Sequence, residues 1–305
     1  MDSQKKLEVK KKILKNYKLY ELKDSRFRRF LKSPIKTFFF FVLAYFSYKK
    51  PFKVRYKTFW GDRMSFYLPE GNAIYYYGFF EANLANFFLN FLKEGDVFFD
   101  VGAHVGYYSM LASALVGEKG VVHSFEPTPR TFNSLEKNSQ TKNNIIVNNN
   151  AVLNTDTEIS FIDYGAKYSA FNSFHKRTSE DTSFLKKLTE IKVKTVSLDN
   201  YCKTKQIVPD FIKIDAEGAE SLILEAMSNI LKEYKPVVSI EVAGEEEWKE
   251  NCRESISILK NAGYHMYEID PNGYLHPHTQ KETYLYDNLI FIHPKNIRKA
   301  ESLIR

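Results

Sequence analysis

The sequence predicts an α/β fold: a Rossmann-like, doubly wound, mostly parallel sheet with an N-terminal extension. Three observations predict it. Apolar runs of strand length alternate with helical segments from about residue 97 to residue 293, the rhythm of βα units. One run, Val97-Phe98-Phe99, enters Asp100-Val101-Gly102-Ala103-His104-Val105-Gly106 and then the apolar-rich stretch from Tyr107 to Val116. That is a strand, a glycine turn and a helix. Glu126 then closes a second apolar run, Val121-Val122-His123-Ser124-Phe125.

The elements follow in order. Residues 1–32 are lysine-rich, with Leu7, Ile13, Leu14, Leu19 and Leu22 at loosely helical spacing. Pro34 opens the next segment. Phe52 to Leu68 alternates through Val54, Tyr56, Phe59, Met64 and Phe66, so it reads as a hairpin turning near Gly61-Asp62. Tyr75 to Phe80 leads to a helix from Glu81 to Lys93, with Leu84, Phe87, Phe88, Phe91 and Leu92 on one face and Gly95 at its end. Strands are expected near 97–101, 121–125, 145–149, 210–214, 237–241, 264–269 and 288–293, and helices near 106–116, 129–142, 218–231 and 247–261. Between 157 and 196 the rhythm breaks. Ile159–Phe161 and Val193–Val196 read as extra strands, with Tyr168 to Lys187 between them as a loop or lid. We divide the chain into an extension, 1–70, and a main α/β domain, 71–305.

Charge divides the 305 residues unevenly. Residues 1–57 hold 14 Lys, 4 Arg and 4 acids, a net +14, and the remainder carries −7. An acidic body offers no groove for nucleic acid. The basic leader suits an anionic membrane face or an acidic partner. Within it Phe38 to Phe46 is the most apolar run, flanked by Lys32, Lys36, Lys49 and Lys50. It is too short to span a bilayer. It fits an interfacial anchor and a core helix equally. Two cysteines, Cys202 and Cys252, make neither a disulfide framework nor a zinc site. They read as free thiols in a reducing cytoplasm, with the protein either free there or peripheral on the inner membrane face. Oligomeric state is left open.

The glycine turn aims a helix N-terminus at a crevice, and Gly102 and Gly106 lack the Cβ that would keep a ligand away. Glu126 stands where an acid binds both hydroxyls of a ribose. The spacing G-x-x-x-G is not the dinucleotide fingerprint. It suits a nucleoside cofactor without phosphates, such as S-adenosylmethionine, with Asp100 facing the cofactor's ammonium group. An NAD-linked oxidoreductase is disfavoured by that spacing. A non-catalytic, membrane-associated protein that kept the fold is disfavoured by the joint presence of Asp100, Gly102, Gly106, Glu126 and Asp215.

Further elements extend the pattern: Asn150-Ala151-Val152, Val196-Ser197-Leu198-Asp199, and Lys213-Ile214-Asp215-Ala216-Glu217-Gly218-Ala219-Glu220. With D-V-G-A-x-x-G-Y-Y and F-E-P before them, they resemble the FkbM-type family of S-adenosylmethionine-dependent methyltransferases from about Tyr75 to His293. His104 departs from the family, where Asn is usual. The resemblance implies O-methylation of a sugar, glycan or glycosylated metabolite. It implies a cofactor site at Asp100, Gly102, Ala103, Gly106, Tyr107, Glu126, Asn150 and Ala151.

Asp100, Glu126, Asn150, Asp215 and Glu241 all fall at carboxyl ends of expected strands, where ligands lie in an open parallel sheet. Asp215 is the candidate base for an acceptor hydroxyl, with Glu217 and Glu241 as alternates. A metal held by Asp215 and Glu241 is a competing arrangement, but no histidine stands at ligand spacing and no metal site is assigned. His175, in the lid-like loop, is a further proton carrier to consider. His276-Pro277-His278 reads as a polar turn. Tyr75, Tyr76, Tyr77, Tyr107 and Tyr108 fit sugar stacking or core packing alike.

Overall fold

The computed structural model describes residues 1–165, 188–242, 249–284 and 287–305. The expected loop Tyr168–Lys187, with His175, lies outside the described residues.

The helices α1 (Ser3–Tyr20), α2 (Arg26–Lys32) and α3 (Pro34–Lys49) come first, then an antiparallel hairpin, β1 (Phe52–Lys57) and β2 (Arg63–Leu68). The hairpin turn falls between Thr58 and Asp62, as the alternation predicts. Next come α4 (Asn72–Tyr77), α5 (Ala82–Phe91), β3 (Val97–Val101), α6 (Tyr107–Val116), β4 (Val121–Phe125), α7 (Pro129–Ser139) and β5 (Ile145–Asn148). A small three-stranded sheet holds β6 (Ala151–Val152), β7 (Glu158–Asp163) and β8 (Thr189–Val196). The chain closes with α8 (Leu198–Lys205), β9 (Phe211–Ile214), α9 (Glu220–Glu225), β10 (Val237–Val242), α10 (Lys249–Asn261), β11 (His265–Ile269), β12 (Leu275–Pro277), β13 (Asp287–Ile292) and α11 (Ile297–Ala300).

The main sheet has eight strands in the order β12-β11-β13-β10-β9-β3-β4-β5. Its core, β10-β9-β3-β4-β5, is parallel, and β13 enters antiparallel between β10 and β11. This is the expected doubly wound α/β class. The strand order turns back between β3 and β9, which sets the crevice at their carboxyl ends. Beneath it the Phe98 and Phe211 rings stack 5.5 Å apart and 5° from parallel.

Four local expectations need correction. The helix expected over 218–231 is broken: α9 ends at Glu225, and a π-helical turn follows at Ile230–Tyr234. The helix α4 was not foreseen, since its three tyrosines hide any period. His276-Pro277-His278 is not simply a turn, because His276 and Pro277 belong to the sheet strand β12. On α1, Leu7 is 53% exposed, and the fully buried residues are Val9 and Ile13, one helical turn apart.

The N-terminal elements pack on the sheet domain. Val9, Ile13, Met64, Phe66 and Leu68 share one hydrophobic cluster with Phe87, Phe98 and Phe211. Asn138 of α7 ties the hairpin down: its Oδ1 accepts from the Ser65 amide at 2.8 Å, and its Nδ2 donates to the carbonyls of Ser65 (3.0 Å) and Val105 (2.8 Å). Among the described residues no helix is long and apolar enough to cross a membrane.

Candidate active site

Beyond the carboxyl ends of β3, β4 and β9 lies a cleft of about 1140 Å³, continuous with solvent at its mouth. Of the expected site residues it gathers Gly102, Ala103, Tyr107, Glu126, Asn150, Ala151, Asp215 and Glu217 in its lining. Asp100, Gly106 and Glu241 are not part of that lining.

The glycine turn is shaped by its protein neighbours. Gly102 has φ 75°, and a Cβ there would sit 1.7 Å from the Asp215 carbonyl oxygen. Gly106 has φ 89°, and its Cβ would meet Leu135 Cδ1 at 2.7 Å. The reading of these glycines as clearance for a ligand is therefore corrected: the chain itself occupies the space. Between them His104 also adopts a left-handed backbone, φ 51°, a conformation costly for a residue with a Cβ.

Glu126 is 6% exposed. Its Oε2 accepts from the His104 amide and its Oε1 from the Thr128 amide, each at 3.0 Å. Burial pushes its carboxyl up, while His104 and the Thr128 amide pull it down. The acid is thus fixed at the cleft wall by His104 and Thr128. His104 forms an ion pair with Glu70, another cleft residue. Burial opposes the charge on His104, yet Glu70, Glu126 and Asp215 outweigh it and raise its pKa.

Asp100 is fully buried. Its Oδ2 accepts from Ser109 Oγ at 2.6 Å, and its Oδ1 lies 3.6 Å from Lys213 Nζ. The cation it meets here belongs to the protein. Lys213 also donates to Asp215 Oδ2 at 3.0 Å and lies 5.2 Å from the centre of the Tyr108 ring. Burial works against its charge, but Asp215 and Asp100 prevail and hold its pKa above the ordinary range.

Asp215 sits directly after β9. The loop that follows turns through left-handed Glu217 (φ 52°) and Gly218 (φ 94°). Glu220 braces it, its Oε1 accepting from the amides of Ala216 (2.9 Å) and Gly218 (3.3 Å). Burial pushes the Glu220 carboxyl up to about 7. Carboxylate oxygens of Asp215, Glu217 and Glu241 lie within 4.8 Å of one another. Behind them Glu81 accepts from Tyr108 Oη (2.7 Å) and Asn288 Nδ2 (2.5 Å). Burial, then the charge of Asp215, raises Glu81 to about 7.

Over residues 100–266 the sequence matches the family model of the FkbM methyltransferase domain, more than half of the chain. The chain belongs to the FkbM methyltransferase family. The expected cofactor-binding and catalytic residues, from Asp100 to Glu241, fall inside the matched span, whereas Glu70 and Glu81 lie before it. The chain is 28% identical over 160 residues to the hexuronic acid methyltransferase AglP of Haloferax volcanii, covering 52% of this chain and 61% of that one. It thus spans less than two thirds of that relative. Among solved structures it is similar to the FkbM methyltransferase of Methylobacillus flagellatus (16% identity, TM-score 0.42), over 66% of this chain and 44% of that one. It is also similar to an O-methyltransferase of Bacillus cereus solved with SAH (12% identity, TM-score 0.39), over 69% and 78% of the respective chains.

From the sequence, Lys213 and Glu220 are seen within the motif but without a role, and Glu81 and Glu70 are not singled out for the site. A lysine inside the apolar strand Phe211-Ile212-Lys213-Ile214 was the available signal for the first, since a buried lysine needs an acid partner. Glu81 and Glu70 had no local signal, because their partners depend on the tertiary fold.

Proposed function

We propose that this chain is an S-adenosylmethionine-dependent O-methyltransferase acting on a hydroxyl of a sugar, glycan or glycosylated metabolite. The observation that carries the reading is the charge of the cleft. Glu70, Glu126, Asp215 and Glu217 line it against the cations Lys213 and His104, and Lys213 is already engaged by Asp100 and Asp215. Such a cleft favours a cationic sulfonium cofactor and disfavours the diphosphate of NAD. Glu126 would hold the ribose, with Val101, Phe125, Val152 and Ile223 offering apolar walls nearby. A hexuronic acid methyltransferase among the relatives supports a sugar acceptor.

S-adenosylmethionine supplies an electrophilic methyl carbon when bound. The chain's own work is to align an acceptor oxygen and take its proton. Asp215 is the group proposed for this. Lys213 fixes its Oδ2, which leaves Oδ1 for an acceptor hydroxyl. Glu217 and Glu241 are the alternates. The two buried free thiols support a reducing, cytoplasmic setting.

The test is incubation of the purified chain with methyl-labelled S-adenosylmethionine and the host's soluble and lipid-linked sugar pools. Label should appear as a base-stable methyl ether on a sugar. Label on protein or nucleic acid, or none with any pool while NAD binds tightly, would overturn the reading.

A further inference from the structure

The helix α3 turns Phe40 and Leu43 partly inward onto the core but leaves a second apolar face uncovered. Its buried residues are Thr37 and Ser47, while Ile35, Phe38, Phe39 and Phe46 are each more than half exposed. The hydroxyls are accounted for within the protein. Thr37 Oγ1 donates to the Arg29 carbonyl at 3.2 Å and lies 2.7 Å from Tyr76 Oη; Ser47 Oγ donates to the Ala44 carbonyl at 2.9 Å. The outward positions 35, 38, 39, 42 and 46 follow helical spacing, so they form one apolar stripe. On α2, which packs against α3, Phe27 (71% exposed) and Leu31 (65%) are also uncovered. Apolar faces of this kind, rimmed by polar groups, mark interaction surfaces.

The rim decides the partner. Between Asp24 and Asp62 the chain has ten lysines and arginines and no acid. Arg26, Arg28, Lys32 and Lys36 are exposed around α2 and the start of α3, and Lys49 and Lys50 at its far end. On β1 the exposed side chains alternate as Lys53, Arg55 and Lys57. A protein partner would need an acidic surface round an apolar centre. An anionic bilayer presents that order everywhere, with acyl chains beneath a negative headgroup layer. A sixteen-residue helix is about 24 Å long, short of a hydrocarbon core about 30 Å thick, so α3 suits lying in the interface.

We propose that α2 and α3 form a docking surface for an anionic lipid bilayer, with the aromatic stripe among the headgroups and the basic rim on the phosphates. The surface adjoins the cleft. The helix α3 packs on β2 and α4, whose Phe66 and Ile74 line it, so docking holds the cleft wall close to the lipid surface. The proposal does not depend on the identity of the cofactor.

The test uses the full chain with phosphatidylcholine vesicles containing or lacking phosphatidylglycerol. The chain should co-sediment with the anionic vesicles at least tenfold more than with the neutral ones, and rising salt should release it. The variant F38E/F39E changes two exposed positions, so its circular dichroism and melting should match wild type. It should lose at least tenfold in binding. In a second variant, Phe39→Trp, the indole emission should shift to the blue on anionic vesicles. Equal sedimentation with both vesicle types, or unchanged binding by F38E/F39E, would overturn the proposal. So would a stable dimer that ignores vesicles and dissociates in F38E/F39E, which would assign the stripe to a second copy of the chain.

Discussion

Asp100 and Lys213 are register partners across the β3–β9 pair, both almost without solvent contact. Each neutralises the other at the centre of the sheet. Replacing Lys213 by Met leaves a buried carboxylate without its cation, a change worth about 3–5 kcal/mol. Urea unfolding should show that loss, and the double variant K213M/D100N should recover part of it. Activity should stay low in both, because Asp215 Oδ2 has lost its donor. Full recovery of turnover in the double variant would remove Lys213 from the site.

Gly102→Ala should damage the site and the fold together. The new Cβ meets a backbone carbonyl, not a movable side chain, and φ is left-handed. Left-handed strain and overpacking together cost about 2–5 kcal/mol. Calorimetric melting should fall accordingly, and S-adenosylhomocysteine should bind weakly. A wild-type melt would mean that the Asp215 loop yields easily.

Glu126→Gln tests the ribose contact. The amide keeps one acceptor for the neighbouring N–H groups and loses the charge. Charge-assisted hydrogen bonds contribute about 1.5–3 kcal/mol each, so affinity for S-adenosylhomocysteine should drop at least tenfold by titration calorimetry. An unchanged Kd would place the ribose elsewhere.

Asp215→Asn keeps the shape and removes the proposed base. Turnover should fall by about two to four orders of magnitude, with S-adenosylhomocysteine affinity nearly unchanged. Near-normal turnover would pass the role to Glu217 or Glu241, and activity lost to a chelator and restored by magnesium would point to the acid cluster as a metal site.

Glu220 predicts a pH dependence. Its folded pKa of about 7 lies above the ordinary 4.5. Between those values the folded chain keeps a proton that the unfolded chain has released, so this group's contribution is whole below about pH 4.5 and fades as pH rises to about 7. Glu220→Gln keeps an acceptor for the Ala216 and Gly218 amides and cannot titrate. Relative to wild type, the variant should gain up to about 3 kcal/mol between pH 5 and pH 8, read by chemical denaturation. Parallel profiles for the two proteins would refute it. Glu81, also raised to about 7, is common to both and cancels.

The sheet was legible because its strands are continuous apolar runs closed by acids or glycines. Val97–Val101 and Val121–Phe125 fall where the runs say. The cleft was legible only as a set of strand ends. What the chain does not display locally is register and distance. Lys213 becomes the partner of Asp100 only once β3 lies beside β9. Glu81 reaches Asn288 across 207 positions. Gly102 looked like room for a ligand because nothing near it in sequence reveals the Asp215 carbonyl. The stripe on α3 was visible as an apolar run, but its outward aim rests on Thr37, Phe40, Leu43 and Ser47 taking the inner face.

The three hydrogen bonds of Asn138 carry a mechanical consequence. They fasten Ser65, in the hairpin beside α3, to Val105, in the turn that shapes the cleft. One side chain thus serves as the pivot between the protein's basic, aromatic front and its glycine turn. A shift of the hairpin reaches that turn through α7, and the Glu70–His104 ion pair runs alongside as a second tie.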